Sequence, residues 1–307
     1  MKLVLAGGSG VLGRALTAAL ATAGHSVVVL SRTPGATLDP GGTRQVGWTP
    51  DGSAGEWGLE LADANAVVNL TGAGIADARW TPRRKEVLRA SRVLSTRSLI
   101  TAIRGLSNRP SVFIQQGGVG YYGTRADDRE LDESFPPGDD FMGQLAVAWE
   151  AEALPAAALG CRLVTLRSGV VLTPNDGALA RMITPFKWFV GGRIASGKQY
   201  LSWIHGDDWT RLVIWALTSS DVSGVINATA PHPVTNSDFA HALGRATRRP
   251  SWTPVPGFVL RLLFGEMADA VLVRGQRVVP RRAQKLGFTF MHPTIGEALI
   301  DTVRRRA

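Results

Sequence analysis

The apolar positions of the chain recur in two rhythms that alternate. Leu3 to Ala6 is a short, continuous apolar run, the pattern of a parallel strand buried on both faces, and Val11 to Ala23 then carries apolar residues at helical spacing until Gly24. The same alternation follows: strands are expected at His25–Leu30, Val46–Trp48, Ala66–Leu70, Val112–Gln115 and Leu163–Leu166. Between them the pattern predicts a helix from Thr81-Pro82, a hydroxyl cap with proline in the first turn, to about Arg104, and another over Asp139–Ala158. Strand and helix in turn argue for an α/β fold, a doubly wound parallel sheet.

Past Leu172 the rhythm breaks. A helix carrying Met182, Phe186 and Trp188, a Gly191-Gly192 turn and a short strand pair around Arg193–Leu201 are expected there, then helix Asp207–Thr218, strand Val225–Ala228 and helix Asn236–Thr247. The expected division is a dinucleotide-binding unit over 1–172, with a strand and helix returning from about 203–230, and a smaller substrate lobe with a C-terminal domain over 173–307.

The junction of the first strand and helix holds glycines at 7, 10 and 13. Gly7 serves the tight turn, Gly10 lets backbone approach a pyrophosphate, and Gly13 lets the helix pack on the sheet. The free N–H groups of Val11, Leu12 and Gly13, with Ser9 in the turn, face the phosphate charge. The second strand runs into Ser31-Arg32, where an NAD site would place a carboxylate for the ribose. Arginine there suits a 2′-phosphate, so NADP(H) is favoured over NAD(H). Asn69-Leu70-Thr71-Gly72 ends another strand in small residues that can lie against the cofactor, and Gln115 ends the next.

Composition narrows the picture. The 307 residues are 45% hydrophobic and 19% charged, an ordinary globular balance. The net charge of +9 invites nucleic acid, but the basic residues fall in short groups such as Arg83-Arg84-Lys85 and Arg304-Arg305-Arg306 without interleaved aromatics, so no nucleic-acid partner is expected. Cys161 is the single cysteine, which excludes an intrachain disulfide and a cysteine-based metal cluster; it is expected to be a packed thiol, and no metal site is expected. No signal peptide and no bilayer-spanning run are apparent, so a cytoplasmic location without membrane association is the expectation.

Several separated pieces together resemble the extended short-chain dehydrogenase/reductase (SDR) group, and within it the atypical epimerase-family proteins that end in a domain of unknown function. They are Gly7–Gly13, Asn69–Gly72, Arg79-Trp80-Thr81 with Arg84-Lys85, Gly120-Tyr121-Tyr122-Gly123, Trp149-Glu150, Ser202–His205 with Asp207-Asp208, and Gly275–Val278 with Pro280. The resemblance implies a Rossmann sheet, a nicotinamide cofactor and a small sugar-like or anionic substrate whose identity the sequence leaves open. It also exposes a departure. SDR enzymes carry Ser or Thr near the end of the strand that here ends at Gln115, and a Tyr-x-x-x-Lys on the following helix; the aligned helix reads Phe141-Met-Gly-Gln-Leu145. Neither Phe141 nor Leu145 can move a proton. Tyr121 and Tyr122 are the nearest phenols, candidate proton carriers that could equally be packing residues. His205 with Asp207 and Asp208 resembles a dyad or a helix cap, and Glu133 reads as an exposed-loop carboxylate. An epimerase/dehydratase-like oxidoreductase and a cofactor-binding sensor or interaction protein both fit.

Overall fold

The computed structural model describes residues 1–35, 43–125, 127–174 and 176–306. Strand β1 (Lys2–Ala6), helix α1 (Val11–Thr22), β2 (Ser26–Ser31), β3 (Arg44–Gly47), β4 (Ala66–Asn69), α2 (Pro82–Arg104) and β5 (Val112–Gly118) come first. They are followed by β6 (Glu130–Leu131), α3 (Phe141–Ala153), α4 (Pro155–Ala158), β7 (Arg162–Ser168) and β8 (Val170–Leu172). Then come α5 (Gly177–Lys187), β9 (Tyr200–Leu201), β10 (Trp203–His205), α6 (Gly206–Thr218) and β11 (Gly224–Ala228). Strand β12 (Val234–Thr235) leads into α7 (Asn236–Thr247), and β13 (Arg277–Val278) comes later.

Seven strands form one sheet in the order β11-β7-β5-β4-β1-β2-β3, and all its pairings are parallel. This is the doubly wound Rossmann sheet that the alternating pattern predicts, with the order reversing between β1 and β4. Because side chains alternate across a strand, Leu3, Leu5, Val27, Val29 and Val68 pack with Leu16 and Leu20 of α1 and Trp209, Leu212 and Val213 of α6. Val4, Ala6, Val28, Val67 and Phe113 face the other way, onto Leu99, Ile100 and Ile103 of α2. Cys161 lies in this second layer and is buried.

Helix α2 starts where Thr81 caps it, its side chain accepting from Arg84 N, with Pro82 in the first turn. Asp140 caps α3 through Gly143 N. The strand pair expected around Arg193–Leu201 does not form. Tyr200–Leu201 pairs antiparallel with Val234–Thr235 instead, and the Arg193 guanidinium donates to the carbonyls of Ala195 and Ser196, closing a turn where a partner strand would have run. Pairing with a segment more than thirty residues away leaves no local signal. β5 also runs on through Gly118, because Gln116, Gly117 and Gly118 continue the ladder with Leu166, Arg167 and Ser168 of β7.

Candidate functional site

At the end of β1 the chain turns through Gly7 at φ +82°, a conformation that L side chains rarely adopt, and Gly10 N donates to Gly7 O at 3.1 Å. A Cβ on Gly7 would also lie 2.9 Å from the carbonyl carbon of Leu70, so this glycine lets the turns after β1 and β4 run against each other. A Cβ on Gly13 would lie 2.5 Å from Gly8 Cα, which is why α1 packs so closely on the turn. Gly10 differs. The nearest atom to a Cβ there is Gly7 O at 3.4 Å, an ordinary contact, so nothing in the fold itself forbids a side chain. Gly8 was not singled out by the glycine spacing, yet a Cβ on it would meet the Val29 side chain at 2.8 Å. No side chain caps the first turn of α1, where Val11, Leu12 and Gly13 carry their N–H groups.

The turn after β4 is held by a polar network on α2. Asn69 Nδ2 donates to Thr96 Oγ1 (2.9 Å) and Gln115 Oε1 (3.1 Å), while Thr71 donates to Asn69 Oδ1 from both N (3.2 Å) and Oγ1 (2.5 Å). Trp149 Nε1 donates to the same Thr96 hydroxyl, and the Thr71 and Ser95 hydroxyls bond each other. Asn69 and Gln115 are wholly buried, whereas Leu70 and Thr71 are partly exposed and Gly72 is exposed. At the other flank Ser31 is buried, its Oγ accepting from Thr33 N, and Arg32 stands exposed one residue beyond β2.

The two tyrosines after β5 separate in role. Tyr122 is 1% exposed; its hydroxyl donates to Asn227 Oδ1 (2.7 Å) and accepts from Arg167 Nη1 (3.1 Å). Burial pushes its pKa up to about 12, against the opposing pull of Arg167, and the hydroxyl's hydrogen bonds are both made within the fold. Tyr121 is half-buried with the Arg167 guanidinium 3.2 Å above its ring. Arg167 in turn forms a bidentate pair with Glu150, both bonds 2.8 Å.

Phe141 faces α2: its ring is edge-on to Trp80 at 5.0 Å and lies under Lys85 Nζ at 4.8 Å, and the Lys85 ammonium is taken by Glu266 at 2.6 Å. Met142 of α3 reaches the turn that follows β5, where its Cε would be 2.7 Å from a Cβ on Gly120. Counting four residues on from Met142 gives Ala146. Phe141 and Leu145, and equally Met142 and Ala146, carry no ionisable group.

Glu133, read from sequence as an exposed carboxylate, is half-buried and accepts from the backbone N–H of Asn227 (3.0 Å) and Arg282 (3.2 Å). It ties β11 to the C-terminal region, a link between distant segments that spacing does not reveal. His205 is a cap rather than a general base. Its Nδ1 accepts from Asp207 N at 3.2 Å, which leaves the proton on Nε2, 3.3 Å from Asp301. The Asp207 carboxylate belongs to Arg305, and Asp208 accepts from the backbone of Met291 and His292. His205, Asp207, His292 and Asp301 have potential ligand atoms within 4.8 Å of one another, but a metal on Nε2 would need the tautomer that the capping bond opposes. Burial, and then the His292 ring beside it, hold the His205 pKa below its usual value.

This crevice, at the strand-order reversal and flanked by the β1 and β4 turns, belongs to a known group. Residues 3–228 match the NAD dependent epimerase/dehydratase family, and residues 255–302 match a domain of unknown function, DUF1731. The chain belongs to the NAD dependent epimerase/dehydratase family. It is 42% identical over 296 residues to the epimerase family protein Mb2239 of Mycobacterium bovis, covering 96% of this chain and 95% of that one. It is 36% identical to the human epimerase family protein SDR39U1, covering 99% of this chain and all of the relative. A crystal structure of human SDR39U1 (isoform 2) with NADPH superposes with a TM-score of 0.89 at 36% identity over 99% of each chain. MoeE5 in complex with UDP-glucuronic acid and NAD shares the fold, with a TM-score of 0.80 at 22% identity, covering each chain fully.

Proposed function

We propose that this family member is an NADP(H)-binding, epimerase/dehydratase-like protein that acts on a small sugar-like or anionic substrate without the Tyr-x-x-x-Lys pair. The carrying observation is the glycine turn, where Gly10 has room for a side chain within the fold and so keeps its backbone bare toward the crevice. Crystallisation of the human relative with NADPH supports the choice of cofactor. The residues that would hold the cofactor are the N–H groups of Val11, Leu12 and Gly13 for the diphosphate, Arg32 for the 2′-phosphate, and the backbone of Leu70 to Gly72 along the nicotinamide half. When bound, the nicotinamide supplies hydride transfer. The chain's own part is to position it: the Asn69–Thr96–Gln115 network fixes the β4 turn, and the apolar side chains of Trp80, Phe141, Met142 and Met267 keep water from the region beside it.

Arg32→Ala is expected to weaken NADPH binding by about 1.5–3 kcal/mol, the scale of a charge-assisted hydrogen bond, and to leave NADH nearly untouched. Fluorescence titration with both cofactors measures this; equal losses would remove the 2′-phosphate assignment.

The second reading, a sensor or interaction protein using the nucleotide as ligand, draws on the apolar residues at both possible tyrosine and lysine positions and on the locked Tyr122 phenol. NADPH oxidation assayed with carbonyl compounds and nucleotide sugars separates the two. Standard SDR carbonyl-reductase and 4-epimerase activity is expected to be absent. Robust turnover lost in Tyr121→Phe would show instead that this half-buried phenol transfers the proton.

A further inference from the structure

The inner face of α2 is zipped onto the β4 turn position by position: Thr96 to Asn69, Ser95 to Thr71, Ser91 to Ala73 N, and Arg84 to Gly74 O. Arg92 occupies the middle of this series. Its guanidinium lies against Gly72, with Cζ 3.0 Å from where a Cβ would stand, and it stacks 5.0 Å from the Trp149 ring. The residue is 8% exposed, and among the described residues its guanidinium makes one hydrogen bond, from Nη1 to Leu88 O at 3.0 Å, and no ion pair.

A buried cation without a counter-charge is costly, and chains normally place a carboxylate beside it. Here the charged group that acts on it is another cation, Arg84, whose Nε is buried without an acceptor. Asp77 is the acidic group in reach, 3.8 Å from Arg84, and it is also shared with Arg181 at 2.8 Å. Burial first, and then Arg84, lowers the Arg92 pKa to about 10, which leaves it charged at neutral pH with its charge unspent.

We propose that Arg92, with Arg84 beside it, is a subsite for a carboxylate or phosphate group of the substrate. This rests on the NADP(H) reading above for its position. The 2′-phosphate belongs at the end of β2 and the diphosphate over β1 at the start of α1, so the nicotinamide half runs toward β4 and β5. Arg92 stands behind the β4 turn, on the nicotinamide side of the strand reversal, where the cofactor has no further anionic group to offer. The anion that completes the charge there comes from the substrate, and Gly72 is the residue whose missing side chain lets the guanidinium lie against the turn.

The test uses inorganic phosphate as probe on full-length protein saturated with NADPH, so that the cofactor's own phosphate sites are filled. Melting temperature is followed against phosphate, with chloride at matched ionic strength as control and acetate in parallel. Phosphate or acetate is expected to raise the melting temperature, and Arg92→Met to raise the half-maximal concentration by at least about tenfold, as for loss of a charge-assisted fork. Arg92→Lys, which keeps the charge and loses the fork, is expected to fall between, and Arg84→Gln to weaken the response while leaving the buried residue in place; together they keep the test valid should Arg92→Met not fold. An anion response that appears without NADPH and vanishes at saturation would assign the group to the cofactor and overturn the substrate subsite. No response in either condition, or a full response in the Arg92 and Arg84 variants, would overturn it as well. Failure of NADPH itself to bind, read by fluorescence, would instead strike the cofactor reading and leave the cofactor-free phosphate titration to judge Arg92.

Discussion

Gly10→Val is expected to abolish measurable NADPH binding while leaving the melting temperature within a few degrees of wild type. The two outcomes separate because of where a Cβ at this position goes. Within the fold it meets only Gly7 O, at 3.4 Å, and the residue's backbone, at φ −73° and ψ 172°, is one that valine adopts freely. The added side chain therefore costs the fold little and stands between the start of α1 and a diphosphate. Gly13→Ala makes the contrast. Its Cβ would press 2.5 Å from Gly8 Cα, an overpacking that is expected to cost about 1–3 kcal/mol or more before any ligand is considered. Fluorescence titration and thermal melting on both variants check the pair. Wild-type NADPH affinity in Gly10→Val would remove the glycine turn from the cofactor site.

Glu150→Gln should be the most destabilising conservative change in the polar interior. Glu150 and Arg167 have side chains 13% and 4% exposed, and their two parallel 2.8 Å bonds are the only ion pairing Arg167 makes among the described residues. Removing the charge from one partner strands the other. The expected loss is about 3–5 kcal/mol, against near zero to modest loss for Glu150→Leu combined with Arg167→Met, which removes both charges together. Urea unfolding of the single and double variants measures both, and a single-variant loss below about 1 kcal/mol would show that Arg167 finds another partner or water. The pair also has a positional consequence, because Arg167 carries the Tyr121 ring on its face and holds the Tyr122 hydroxyl. Loosening it should shift the near-ultraviolet dichroism of the tyrosines even where the protein stays folded.

The amino-acid sequence determined the sheet, the glycine turn and the helix starts, because each is written in neighbouring residues. Apolar runs give buried parallel strands, Thr81-Pro82 gives a cap with its first turn, and the glycine triplet lies wholly within the β1–α1 turn. That Phe141 and Leu145, or Met142 and Ala146 one residue on, are apolar is legible in the same way. What tertiary structure decided is how distant side chains are spent. Asn69 and Gln115 stand at the crevice in sequence terms, yet both are consumed in a buried network with α2, because only the folded chain brings Thr96 and Trp149 to them. The partners of the Tyr122 hydroxyl, Asn227 over a hundred residues on and Arg167, are likewise set only by the fold. Arg92 reads as one more helical arginine until the β4 turn is laid across it at Gly72. Local pattern fixes which backbone forms where, through steric and solvation preferences that act over a few residues. Burial and charge pairing are set by contacts between segments far apart in the chain, and those decide which polar side chains remain free for a ligand.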